Sequence, residues 1–359
     1  MKLIVCGDIS VKEDAWQLFQ DKRADNLFND VIDVFKGNKV IVNVECAVTE
    51  ADTPIKKIGP NLKAPLNTIE TLKIAGVTNA VLSNNHIFDY GKKGLFDTID
   101  LLKKFGIDYT GIGENEADAR KDMIITDGRV KIAVIAVCEH EYSYALKDRV
   151  GARAYDPYDT AEDIVKAKKN ADHVIVIYHG GKEECRYPSE RLVKTCRSMI
   201  NHGADVVLCQ HSHCIGCYEE YNGGHILYGQ GNFHFVCAKY AANDGEGGYL
   251  WNTGLAVELD ITDKVNFKPI PVIVDGNGIR LCNEKEKDKI LSEMYERSKT
   301  LADGSYIKKF EEFCHTKSNY LFIPEEIKEK FAHYLDCEAH TDVWKVLYRT
   351  YNHTNEKDD

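Results

Sequence analysis

The 359-residue sequence has no apolar run approaching the roughly 18–20 residues that a membrane-spanning helix requires. It also lacks a basic excess: 57 acidic residues outnumber 46 basic ones, giving a formal net charge of −11. Nucleic-acid backbones need a positive face, so general nucleic-acid binding is not expected. Phosphate substrates stay open, because bound cations can reverse a local field. Internal repeats and low-complexity tracts are missing too, which excludes solenoids and arrays. The amino terminus meets Gly7-Asp8 after only Leu3-Ile4-Val5-Cys6, too short a stretch for the apolar region of a signal peptide. Twelve cysteines therefore read as reduced thiols. Cys6, Cys138 and Cys209 fall within or at the ends of apolar strands, where a thiol packs as a small hydrophobe. The expectation is a cytoplasmic protein.

What the chain does have is 43% apolar residues, enough for the core of one large α/β domain, alone or with an appendage. Apolar β-branched runs at 3–6, 39–44, 77–82, 130–137, 172–178, 204–209 and 225–228 read as buried strands. Helical spacing predicts a helix over 24–36, with Leu27, Val31 and Val34 inward and Gly37 ending it. Asn67 with Glu70 reads as a capping pair opening a short helix that Gly76 closes. Pro188-Ser189 opens another, with Leu192, Cys196 and Met199 on one face. Alternating strands and helices predict a largely parallel α/β core. Residues 251–281 carry Asp-Gly and Asn-Gly turns and look antiparallel. From 284 the composition shifts to Lys, Glu, Leu and Tyr, so the expected division is a core domain over 1–283 and a helical extension over 284–359.

The chemistry lies at strand ends. The run at 77–82 stops at Ser83-Asn84-Asn85-His86, polar groups at the carboxyl edge where open α/β sheets bind ligands. Other runs end likewise, at Asp8, Glu45, His179 and the pair His211 and His213. Carboxylate and amide oxygens mixed with imidazoles suit Zn²⁺, Mn²⁺ or Fe²⁺. A His-x-His pair whose backbone turns can serve two adjacent ions, and ions about 3.5–4 Å apart can stabilise both attacking and leaving oxygens in phosphoryl transfer.

Plainer readings stand beside these. Asp8 could cap a helix, and Glu45 could pair with a surface lysine. Asn84 suits a structural turn. Asp89 either orients His86 or caps the next helix. Glu183 either binds substrate or orients His179, and Glu139 and His140 either line a pocket or pack a loop. His225 and His234 are weaker candidates for touching substrate, and Asn232 stands beside the latter. Cys214-Ile-Gly-Cys217 has the spacing of a metal or redox pair, but no second pair matches it, which favours two loop thiols.

Gly7-Asp8, Asn43-x-Glu45, Ser83-Asn-Asn-His86-x-x-Asp89-x-Gly91, His179-x-Gly181-x-Glu183, Gly203-Ala-Asp-Val-Val207, His211-x-His213 and Tyr228-Gly-x-Gly-Asn-Phe233 occur in that order. Together they resemble the bacterial CapA (capsule synthesis, PGA-cap) family, a branch of the calcineurin-like metallophosphoesterase fold, over about residues 1–240. The resemblance implies a four-layer α/β/β/α sandwich, here with a C-terminal helical extension. It implies a centre of two divalent ions, with Asp8 and His213 at the first, His179 and His211 at the second, Glu45 bridging and Asn85 contributing its amide. His86, supported by Asp89, matches the imidazole beside the leaving group, and Glu183, His140 and Asn232 are candidate substrate contacts. Close relatives in the fold carry Asp-x-His where this chain has Asp8-Ile-Ser10, so the first ion is expected to bind weakly.

The implied activity is phosphoester hydrolysis linked to capsule or poly-γ-glutamate polymers. Alternatives are γ-glutamyl amide hydrolysis or transfer, and a non-catalytic metal-binding part in a capsule assembly with other assembly proteins. Capsule-synthesis relatives often carry an amino-terminal membrane anchor, and this sequence begins at its first strand.

Overall fold

A computed structural model describes residues 1–57, 59–128, 130–139, 141–237 and 246–317. Among them the chain forms two large sheets. It starts with four parallel strands: β1 (Lys2–Ile9), β2 (Lys39–Val44), β3 (Asn79–Val81) and β4 (Asp108–Thr110). It then crosses to a second sheet: β5 (Met123–Asp127), β6 (Val130–Cys138), β7 (His173–His179), β8 (Val206–Gln210), β9 (Tyr218–Tyr221) and β10 (Gly224–Leu227). Four strands then return to the first sheet: β11 (Asn232–His234), β12 (Thr253–Ile261), β13 (Val265–Asp275) and β14 (Gly278–Leu281). The first sheet runs β14-β13-β12-β1-β2-β3-β4, with β11 alongside β1, and the second β9-β10-β8-β7-β6-β5.

Three apolar clusters define the layers. Leu3, Val5, Ile41 and Val257 of the first sheet meet Val134, Ile175, Ile177 and Leu208 of the second in one continuous core. The opposite face of the first sheet, with Ile4, Val40 and Val42, is covered by helices that contribute Phe19, Leu27, Leu72, Leu95 and Leu102. The outer face of the second, with Ile135 and Val176, is covered by residues such as Ile164, Leu192 and Met199. Each central strand is thus buried on both faces, which is why it reads as a continuous apolar run and does not alternate. The expected α/β/β/α sandwich is present.

Local differences have physical causes. The segment 24–36 is two short helices, Ala24–Phe28 and Val31–Phe35, because Asn29 between them adopts a φ of 39°. A helix over Glu13–Gln20 precedes them, burying Ala15 and Phe19, and the sequence pattern did not mark it. Asn67 makes no side-chain cap: its amide donates to the Gln20 carbonyl at 2.6 Å, while Glu70 pairs with Lys22. The strands of 251–281 are antiparallel as expected: β12 pairs with β1, β13 with β12 and β14 with β13, extending the main sheet.

The chain divides into two units, Met1–Phe310 and Glu311–Asp359. The helix Glu284–Ser298 belongs to the first unit, because its Ile290 and Met294 enter the core between the sheets. Among the described residues no helix is long and apolar enough to cross a membrane.

Candidate active site

The carboxyl ends of both sheets meet at one place. Register sets the first half: Asp8 on β1 pairs with Asn43 on β2 and with Asn232 on β11. Gly7 permits this approach, since a Cβ there would lie 2.6 Å from the Gly231 carbonyl oxygen. From the second sheet, β7 ends in His179 and β8 in Gln210, followed by His211 and His213. Both of these histidines take positive φ, 82° and 53°. The backbone turn that a shared role for the two imidazoles demanded is therefore present, in a region that costs a non-glycine residue of order 1–3 kcal/mol.

Six predicted ligand residues come together. Glu45, His179 and His211 bring ligand atoms within 4.8 Å of one another, and so do Asp8, Glu45 and His213. Glu45 belongs to both groups. Asn85 joins them, its Oδ1 lying 2.8 Å from His179 Nε2, which is also 3.3 Å from Glu45 Oε1. Asn43 stands behind the cluster: its Nδ2 donates to Asp8 Oδ1 at 2.7 Å and lies 3.1 Å from His179 Nδ1. The backbone N–H of His211 donates to Asp8 Oδ2 at 2.9 Å, so the two sheets are joined at the site itself.

Burial dominates the electrostatics of the cluster. Burial raises the Asp8 carboxyl above its usual range, and the Glu45 charge adds to this. Burial likewise raises Glu45, and lowers His179 to about 4. An Asp–His ion pair would shift both groups the opposite way, so burial outweighs pairing here. Both Glu45 oxygens are buried without a hydrogen-bond partner among the described residues. An ionised carboxylate in that position is costly unless a cation meets it. Orphaned carboxylate oxygens flanked by three imidazoles and an amide form a donor set that fits divalent metal. Ser10 is fully buried and its Oγ makes no hydrogen bond among the described residues, but it belongs to neither ligand group.

The turn after β3 supplies the remaining groups. Asn84 is structural: its amide donates to Asn43 Oδ1 and to the Val44 carbonyl, both at 2.9 Å, and its Oδ1 accepts from the His86 N–H at 3.0 Å. His86 Nδ1 lies 2.6 Å from Asp89 Oδ2, which leaves Nε2 as the remaining ring nitrogen. Burial lowers the His86 pKa, with Asp89 acting against that. Lys57 pairs with Asp89 in the same recess.

The proposed substrate contacts separate. Glu183 is exposed at the edge of the cluster, 3.8 Å from His211 Nε2. Asn232 lies behind it, its Oδ1 2.8 Å from His213 Nδ1 while its amide donates to the Trp251 carbonyl. Its contact is thus with a candidate ligand. His140 lies outside the described residues, and Glu139 accepts from the Gly181 N–H and pairs with Arg191. His225 contacts Tyr218 and the Val265 carbonyl, and His234 is buried against Phe19 and Phe28, so both serve packing. Cys214 and Cys217 are buried thiols outside both ligand groups.

The sequence motif Asn43-x-Glu45 named Asn43 without giving it a role, and sequence reasoning missed Lys57 and Trp251, whose ring lies 4.7 Å from that of His213. A polar amide near the end of the apolar run Lys39–Val44 was the available signal for Asn43. Lys57 sits in a loop without periodicity and gave none.

Two face-to-face sheets flanked by helices, with an imidazole–carboxylate cluster at their joint carboxyl edge, define a protein of metallophosphoesterase-like fold. The family model described as "Bacterial capsule synthesis protein PGA_cap" matches residues 2–236, and the chain belongs to that family. It is 27% identical over 343 residues to a Bacillus anthracis protein described as "Capsule biosynthesis protein CapA", covering 92% of this chain and 80% of that one. It is 31% identical over 239 residues to the Bacillus subtilis (strain 168) "PGA biosynthesis protein CapA", covering 64% of this chain and 62% of that one. Among solved structures it is similar to a phosphatase from Mycoplasma pneumoniae, with a TM-score of 0.49, 14% identity and coverage of 82% of this chain and 98% of that one. A likeness at that level says nothing about chemistry.

Proposed function

We propose that the chain is a divalent-metal-dependent hydrolase of phosphate esters, acting in capsule or poly-γ-glutamate polymer synthesis. The observation that carries this reading is the pair of buried ligand groups sharing Glu45. Glu45, His179, His211 and Asn85 would hold one cation and Asp8, Glu45 and His213 the other, drawn from Mn²⁺, Zn²⁺ or Fe²⁺. Bound there, the ions would supply Lewis-acid charge to the phosphoryl oxygens and to the attacking water. The second group lacks an imidazole where Ser10 stands, and would be the weaker site.

The chain's own residues do the rest. Water adds to phosphorus and gives up a proton to solvent, the bond to the leaving oxygen breaks, and that oxygen takes a proton from Nε2 of doubly protonated His86, the form that Asp89 favours against burial. Asp89 holds Nδ1 and so aims Nε2. Asn43 keeps Asp8 and His179 in register, and Asn232 orients His213. Glu183, at the rim, is the group placed to meet substrate. The connection to capsule polymers rests on the descriptions of the relatives, and those descriptions equally favour a second substrate class, the γ-glutamyl amide.

Metal analysis of the purified chain, followed by assay with a chromogenic phosphodiester with and without Mn²⁺, tests the proposal. Metal-stimulated release of the chromophore is expected. Release of glutamate from poly-γ-glutamate with no phosphodiesterase activity would favour the amide reading.

A further inference from the structure

Resting on the hydrolase reading above, we propose that Lys57 is a positioning residue of this site, acting through the turn that carries Asn85 and His86. Its Nζ pairs with Asp89 Oδ1, lies 3.1 Å from His86 Nδ1 and donates to the Asn85 carbonyl at 3.4 Å. All three contacts fall on one turn. The Lys57 side chain is 3% exposed and that of Asp89 is 0% exposed, so this is a buried ion pair.

A buried pair is often no better for stability than apolar residues of equal volume. Nor is the ammonium needed to close the loop. Ile55 N–H donates to the Asp89 carbonyl at 2.9 Å, Asn61 Nδ2 donates to it at 3.1 Å, and Leu62 N–H donates to Asp89 Oδ2 at 2.6 Å. What Lys57 adds is a division of labour on one carboxylate. Oδ1 goes to the ammonium, while Oδ2 serves His86 Nδ1 and the Leu62 N–H. With each oxygen held from a different side, the carboxylate does not rotate, and the imidazole it holds keeps its plane. The contact with the Asn85 carbonyl fixes the peptide joining the ligand amide to the imidazole. Lys57 therefore sets the direction of His86 Nε2 without touching the reacting atoms.

The test compares wild type, Lys57→Met, His86→Ala and the double variant. It combines steady-state hydrolysis of bis(4-nitrophenyl) phosphate with Mn²⁺ and hydrogen exchange of residues 84–90 in the metal-free protein. Lys57→Met is expected to lower kcat by roughly 10- to 100-fold, the scale of a small misplacement. KM should stay within about two-fold and bound metal should be retained. Exchange over 84–90 should quicken while that of β1 and β8 does not. In the His86→Ala background, Lys57→Met should change kcat no further. Unchanged kcat, unchanged exchange, or losses that add fully in the double variant would overturn the proposal. If Lys57→Met does not fold, Lys57→Gln, which keeps a donor without the charge, enters the same cycle. An inactive wild type whose Lys57→Met form still exchanges faster over 84–90 removes the hydrolase reading and leaves the positioning role standing.

Discussion

Asn43 donates to Asp8 across neighbouring strands, Nδ2 to Oδ1 at 2.7 Å, and this buried amide ties the first sheet's carboxylate into the ligand cluster. The same nitrogen faces His179 Nδ1 at 3.1 Å, so one amide serves a residue from each sheet. Replacing it with an apolar side chain leaves both partners short of a donor. Asn43→Leu is expected to cost about 2–4 kcal/mol, two unmet buried groups' worth, as measured by urea unfolding. Metal affinity, read by calorimetric titration, should fall by roughly 10- to 100-fold, as for other outer partners of ligands.

How much of this was legible in the sequence depends on how each residue announces itself. Asp8, Glu45, Asn85, His179 and His211 follow apolar runs, and a polar group at the end of a doubly buried strand is a strong local signal. The layers were legible for the same reason. The place of one late helix in the core between the sheets was not. Helix Glu284–Ser298 has a charged composition, and only Ile290, Met294 and Arg297 are buried, too few to mark a core helix. Lys57 was invisible because its role comes from contacts with residues about thirty positions away. The break at Asn29 turns on a single backbone angle.

That helix yields a second prediction. Arg297 Nη2 donates to the carbonyls of Ile215 at 2.8 Å and Gly216 at 3.1 Å, just beyond His213. Arg297→Met should destabilise the chain by about 2–4 kcal/mol through unmet buried carbonyls. Truncation after residue 283 should abolish cooperative unfolding, because it uncovers the core that Ile290 and Met294 fill. Circular dichroism melts of both forms provide the check, and a truncated chain that melts like wild type would support a core domain ending at 283.

A third concerns pH and a histidine outside the cluster. Burial lowers His234 from 6.5 to about 4, its ring lying 5.2 Å from Phe19 and 5.5 Å from Phe28. The folded state keeps the ring neutral while the unfolded chain takes a proton below 6.5. Its contribution is therefore complete above pH 6.5 and is lost as pH falls towards 4, amounting to roughly 3 kcal/mol. His234→Leu should flatten that part of the stability–pH curve, measured by denaturant midpoints at pH 7, 5.5 and 4.5.

A fourth separates the two halves of the site. His86→Ala should retain bound metal and lose rate by about 10²–10⁴-fold, the usual worth of a general acid. Asp89→Asn should fall between His86→Ala and wild type, because the ring stays but its orienting charge is gone. Metal content and turnover measured on the same preparations decide this.

The central claim is that Glu45 is shared by two cation sites. Titrating metal-free wild type and Glu45→Gln with Mn²⁺, and reading stoichiometry and affinity by calorimetry, tests it most directly. The account predicts two sites in the wild type, the one containing Asp8 and His213 being weaker, and loss of affinity at both in the variant. Wild-type affinity and stoichiometry in Glu45→Gln would contradict it.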